Sequence, residues 1–109
     1  MADPASLPKL FRPIQVGDVT LGHRVVFAPL TRFRANRRGV PSDLAVEYYS
    51  QRASFPGTLI ISEATYVAPF AHGRSFHAPG IYTEDQIAGW KRVTDAVHAH
   101  LSVPHFRAS

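Results

Sequence analysis

The chain has 109 residues, no cysteine, and 12 basic against 8 acidic side chains. That length bounds it at one domain, and the lack of cysteine excludes disulfides, thiolate nucleophiles and Cys-ligated metals while fitting a reducing, cytoplasmic location. Hydrophobic residues at 45% and charged residues at 18% describe a folding chain, no apolar run approaches the roughly 18 residues of a membrane span, and the opening Met-Ala-Asp-Pro has neither the basic nor the apolar region of a secretory signal.

In chain order, residues 1–10 contain Pro4 and Pro8 and read as a flexible leader. Ile14, Val16, Val19 and Leu21 alternate around Gly17-Asp18, a two-residue hairpin signal because glycine supplies positive φ at the first turn position. Val25-Val26-Phe27-Ala28, closed by Pro29, is apolar without alternation, which predicts a strand covered on both faces, as in a parallel sheet under helices. The stretch with Arg32, Arg34, Arg37, Arg38, Gly39 and Pro41 reads as a loop. Ser42 is suited to an N-cap and Asp43 to the positive end of a helix dipole. Leu44 with Tyr48, and Ala45 with Tyr49, recur at helical spacing to about Ala53. Pro56-Gly57 breaks the chain before a second buried strand, Thr58–Ile61. A loop follows from about Tyr66 to Tyr82, with Pro69, Gly73, Pro79 and Gly80. Thr83 and Gln86 form a capping-box pair, and Ile87, Trp90, Val93 and Val97 give the second helix an apolar face. Strand, helix, strand, helix is the grammar of a parallel α/β sheet. Leu101–Ser109 should hold a third strand by that grammar, but Pro104 argues against a central one, so the tail reads as divergent.

Most of the remaining polar residues carry bland readings. The Arg32–Arg38 run is a solvated loop face, since nothing beside it resembles a nucleic-acid motif. His98 and His100 point to different helix faces and suit a helix C-terminus better than a metal. Tyr48, Tyr49 and Trp90 are core aromatics.

Five segments together carry a resemblance. They are Arg24–Arg34 (RVVFAPLTRFR), Val46–Ala53, Pro56–Ala64, Ala78–Tyr82 and Gln86–Lys91. In order and spacing they resemble the N-terminal part of the old yellow enzymes, FMN-dependent ene-reductases, and are similar to fungal secondary-metabolism members. The match runs from about Leu10 to His98. It implies an α/β fold that is part of a (β/α)8 TIM barrel: a hairpin closing the bottom and the first two βα units, with the barrel not closed, over residues 11–100. It implies that Pro29, Leu30, Thr31 and Ala64 border the flavin ring, with the Thr31 hydroxyl bonding the carbonyl edge of the isoalloxazine. Such positions suit a barrel, whose chemistry sits at the C-terminal ends of its strands. The resemblance further implies NAD(P)H as reductant and a small-molecule enone as substrate.

Several words of the family have no counterpart after His98. These are the third-strand Gln-Leu-Trp, the His/Asn or His/His pair that holds the substrate carbonyl, the proton-donating tyrosine, and the phosphate-binding glycines and arginine. No catalytic residue is therefore assigned. The expectation is a truncated, inactive member that does not retain FMN, binds neither nucleic acid nor membrane, and self-associates through open strand edges. Two rivals stand beside it: a docking fragment that pairs with a longer homologue or completes a split barrel, and a small catalyst or carrier that reuses the half-pocket in a new assembly.

Overall fold

Gly17 takes φ of 59°, and Asp18 stays in the ordinary region, so two residues reverse the chain between β1 (Ile14–Val16) and β2 (Val19–Leu21). The pair is antiparallel, with Ile14 opposite Leu21 and Val16 opposite Val19. The structure is a computed structural model that describes residues 6–69 and 77–100, with the backbone of 106–107. The first five leader residues, Gly73 in the long loop, and Pro104 lie outside the described residues.

Just ahead of the hairpin, Lys9–Phe11 form one 3-10 turn, and the Leu10 carbonyl accepts the Arg24 N–H at 2.9 Å. The hairpin is fastened to the rest of the chain at its far end. Gly22 N–H donates to the Gly57 carbonyl at 2.9 Å. The Thr58 hydroxyl donates to the Phe55 carbonyl, which leaves its oxygen to accept from His23 Nε2 at 2.8 Å. His23 Nδ1 accepts the Val25 N–H, so one imidazole in its Nε2–H form bridges two segments.

β3 (Val26–Phe27) and β4 (Leu59–Ile61) pair in parallel, Val26 with Leu59 and Phe27 with Ile60. β3 is shorter than the apolar run that encodes it. Its first amide, at Val25, is spent on the His23 ring, and Pro29 closes the other end. β5 (Phe106–Arg107) pairs in parallel with β4, giving the order β3-β4-β5. The tail thus supplies an edge strand, which corrects the expectation that both outer edges of the strand pair are open. β3 keeps an unpaired outer edge among the described residues, and no closed barrel forms.

α1 (Asp43–Arg52) and α2 (Glu84–Ala99) cover one face of this sheet. The core is Tyr49, Ala53, Ile60, Trp90, Val93 and Val97, with Phe27, Ala45, Val46 and Tyr48 packed against it. The stripe on α1 runs through Ala45, Tyr49 and Ala53, so Leu44 is exposed. On α2 it runs through Gln86, Gly89, Trp90, Val93 and Val97, and Ile87, one position off, is exposed as well. Ser42 is the N-cap residue of α1 but its side chain makes no capping bond, and its Oγ is buried without a partner.

The capping box at Thr83 and Gln86 is present, and Gln86 does more than close it. Fully buried, its Oε1 accepts from Tyr82 N–H and Thr83 N–H, and its Nε2 donates to the Arg38 carbonyl at 2.8 Å. One side chain thus ties α2 to the arginine loop. That loop is pinned further by Gly80 N–H donating to Gly39 and by Ala35 N–H donating to His77. We expect Gln86→Ala to cost about 2–3 kcal/mol, because a buried side chain is removed and three part-buried backbone groups lose their partner. A matching fall in the urea midpoint, read from Trp90 fluorescence, checks it.

Candidate functional site

Parallel pairing sends β3 and β4 in the same direction, so the segments that leave them emerge at one end of the sheet. After β3 come Pro29, Leu30 and Thr31; after β4 come Ser62, Glu63 and Ala64. Pro29, Leu30 and Ala64 are exposed and Thr31 is half-buried. Among the described residues no hydrogen bond occupies the Thr31 hydroxyl. The four residues singled out from the sequence therefore sit on strand ends that the fold brings to the same side.

Behind them lies a cluster that sequence reasoning did not single out. Glu63 is 7% exposed at the end of an apolar strand. Its N–H donates to the Tyr49 hydroxyl at 3.0 Å, and its carbonyl accepts from Ser62 Oγ and Thr65 Oγ1. Arg32 and Tyr49 line the same small hollow as Glu63. Burial pushes the carboxyl above its usual range, against the Arg32 N–H, the Arg32 charge and the Tyr49 hydroxyl, which all favour the ionised form. Burial likewise raises the Tyr49 phenol, which stays protonated and able to donate. The one sequence signal was a charged residue directly after Leu-Ile-Ile-Ser, where a buried strand rarely carries an unpaired charge.

The arginine run divides in two. Arg34, Arg37 and Arg38 are exposed, as a solvated loop face requires. Arg32 lies over the Tyr48 ring at 5.8 Å, and Arg52 covers the same ring at 4.2 Å. Between Arg32 and Arg34, Phe33 adopts φ of 56°, left-handed backbone that a bulky residue takes only where its surroundings hold it.

Two hollows flank the sheet. One of about 150 Å³ lies against Glu63, Tyr49, Arg32 and Trp90. The larger, about 580 Å³, is lined by Phe11, His23, Val25, Val26, Phe55 and Thr58, among others, toward the N-terminal ends of the strands. Size favours the second, but barrel chemistry belongs to the C-terminal strand ends, so the candidate site is the strand-end wall of Thr31 and Ala64. No group of three or more potential metal ligands occurs among the described residues, and no helix there is long and apolar enough to cross a membrane.

Comparison with known proteins finds relatives of this fold. The NADP-dependent oxidoreductase lnbE of Aspergillus flavus is 60% identical over 88% of this chain and 25% of its own length. The chanoclavine-I aldehyde reductase fgaOx3 of Penicillium roqueforti is 53% identical over 85% of this chain and 25% of its own. The solved old yellow enzyme of Pichia sp. AKU4542 superposes with a TM-score of 0.84 at 42% identity, covering 92% of this chain and 25% of that one. The chain thus spans about a quarter of the length of these relatives and corresponds to the N-terminal part of their barrel. The profile of the NADH:flavin oxidoreductase / NADH oxidase family, whose cofactors are FMN and NAD(P)H, matches residues 9–103, and the chain belongs to that family.

Proposed function

We propose that this chain supplies the hairpin and first two βα units of an FMN-dependent ene-reductase barrel, with Pro29, Leu30, Thr31 and Ala64 as one wall of the flavin site. The observation that carries the reading is the placement of small or apolar side chains and one unoccupied hydroxyl on the C-terminal ends of two paired strands. That surface fits the edge of a planar ring whose carbonyl needs a donor. When bound, FMN would accept hydride from NAD(P)H and deliver it to the activated C=C of an α,β-unsaturated carbonyl. This chain's share is to seat the ring, to donate from Thr31, and to keep water from one side of it. The phosphate grip, the carbonyl clamp and the proton donor belong to other parts of such a barrel. By itself the chain is a non-catalytic unit in this reading, working in the cytoplasm.

The unpaired edge of β3, with Val25, Val26, Phe11 and Phe55 exposed beside it, favours a docking reading as the second hypothesis. A parallel strand from a longer homologue would cover those groups, and in its absence a second copy would do so.

The purified chain is expected to carry no stoichiometric flavin spectrum, to sediment as oligomers, and to reduce cyclohexenone with NADPH no faster than free FMN. Loss of one carbonyl-polarising donor alone costs roughly 10²–10³ in rate. Adding the remaining three-quarters of a longer relative as a separate chain should restore flavin retention, and Thr31→Ala in that complex should alter the bound flavin's spectrum. A yellow monomer without the added chain would overturn the non-catalytic reading, and a Thr31→Ala complex with an unchanged spectrum would remove Thr31 from the wall.

A further inference from the structure

His23 stands between the end of the hairpin and the start of β3, half-buried beside the larger hollow. Its ring makes one bond from each nitrogen, and the two partners fix which nitrogen carries the proton. The Val25 N–H can only donate, so Nδ1 accepts it at 3.1 Å. The Thr58 hydroxyl spends its proton on the Phe55 carbonyl, so Nε2 donates to the Thr58 oxygen at 2.8 Å. Thr58 is 7% exposed, just ahead of β4. Only a neutral imidazole serves both partners. A protonated ring is a donor at both nitrogens, so its Nδ1–H would face the Val25 N–H, donor against donor. The ring relieves that contact by turning away, and the bond to Thr58 goes with it. The side chains that line the hollow with His23 come from the 3-10 turn, β3, α1 and the segment before β4, and Arg52 of α1 is the one among them that carries a charge. No carboxylate among them stands ready to hold a second imidazole proton.

We propose that His23 is an acid-sensitive latch, whose neutral ring joins the hairpin end and the Val25 amide to Thr58 and whose protonation releases them. Imidazole changes charge between about pH 5 and 8. The latch is made where the ring is neutral and is lost as pH falls through that window. Gly22 N–H on the Gly57 carbonyl then remains as a tie of the hairpin end to the same segment. Other groups respond differently to acid. His77 bonds through Nδ1 to the Ala35 carbonyl, which only accepts, so that bond survives protonation. Burial raises the Glu63 carboxyl, so its contribution to folding grows in acid, with the opposite sign. The latch is independent of the flavin-wall reading and needs no cofactor.

The test is amide hydrogen exchange on the full chain, followed by mass spectrometry at about pH 7.5 and about pH 5, the two sides of the imidazole range. Each rate is divided by the intrinsic rate of the sequence at that pH, which leaves the protection. Peptides over Leu21–Phe27 and Phe55–Ile61 are compared with one from Lys91–Val97 of α2. Protection in the first two should fall about fivefold in acid, the factor that losing one hydrogen bond brings, while the α2 peptide holds. His23→Ala should give the lower protection at both pH values, with no further fall in acid. His23→Gln has a donor and an acceptor but does not titrate, so its protection should be the same at the two pH values. It carries the test if His23→Ala does not fold. A fall of equal size in all three peptides, no fall in the parent, or an undiminished fall in His23→Gln would overturn the latch.

Discussion

Gly57→Ala is expected to leave Trp90 in water-like surroundings without any denaturant, the spectroscopic sign that the chain no longer folds. Gly57 has φ of 74° and packs backbone to backbone on Gly22. A methyl group on it would lie 2.7 Å from the Gly22 Cα, and a methyl on Gly22 would lie 2.7 Å from the Pro56 carbonyl oxygen. Neither neighbour is a side chain that can swing aside. The left-handed conformation alone costs a non-glycine residue about 1–2 kcal/mol. Relief of the clash would further require the hairpin to lift, breaking the Gly22–Gly57 bond and the His23–Thr58 bond together. A domain this size holds only about 0.05–0.15 kcal/mol per residue, and a loss of several kcal/mol exhausts much of it. Gly17→Ala is the control. It shares a positive φ of 59° but meets nothing within 4 Å, so only the conformational cost of about 1–2 kcal/mol applies. A Gly57→Ala protein with native Trp90 emission and a melting point within a few degrees of the parent would show that the hairpin is dispensable.

The second large effect is expected at Tyr49. Its ring meets Tyr48 at 5.1 Å, Trp90 at 6.1 Å and Phe27 at 6.5 Å between centroids, so it joins both helices to β3. Tyr49→Ala should cost about 3–5 kcal/mol, the range for deleting a buried aromatic ring. Tyr49→Phe keeps the ring and strips the hydroxyl from the Glu63 N–H, for about 1–3 kcal/mol. Urea titrations of the two variants should therefore fall in that order below the parent. Equal midpoints would mean that the hydroxyl accounts for the whole effect, against the packing argument.

Much of this fold is written in local pattern. Gly17-Asp18 between alternating apolar residues gives the hairpin, and Thr83 with Gln86 starts α2, because turn and cap chemistry depends on residues a few positions apart. The family words placed Thr31 and Ala64 on strand ends before any coordinates. Other features depend on partners far along the chain. That Gln86 reaches the Arg38 carbonyl, or that the Glu63 N–H meets the Tyr49 hydroxyl, follows from how the loops cross. Leu44 and Ile87 fit helical periodicity yet face out, since periodicity defines a stripe only to within one position and the packing partner chooses its centre. The single histidine bond that shortens β3 is of the same kind. A run of apolar residues gives a strand's potential length, while the ladder's real length depends on where each amide finds an acceptor.

The two sheets also differ in when they can form. The hairpin closes over two residues, a step of about 1–10 μs in isolation. The parallel ladder joins Val26 to Leu59 only after the arginine loop and all of α1 have been brought back across it, and Ile60 to Phe106 only after α2 has done the same. Loop-closure entropy must be met before such contacts contribute. The hairpin therefore leads, and Gly22 and His23 at its end offer the Pro56–Thr58 turn a place to land just before β4 begins. The glycine pair that makes this contact so close acts as a register stop, ensuring that the late-arriving strand meets Val26 and Phe27 in the one alignment that buries Ile60.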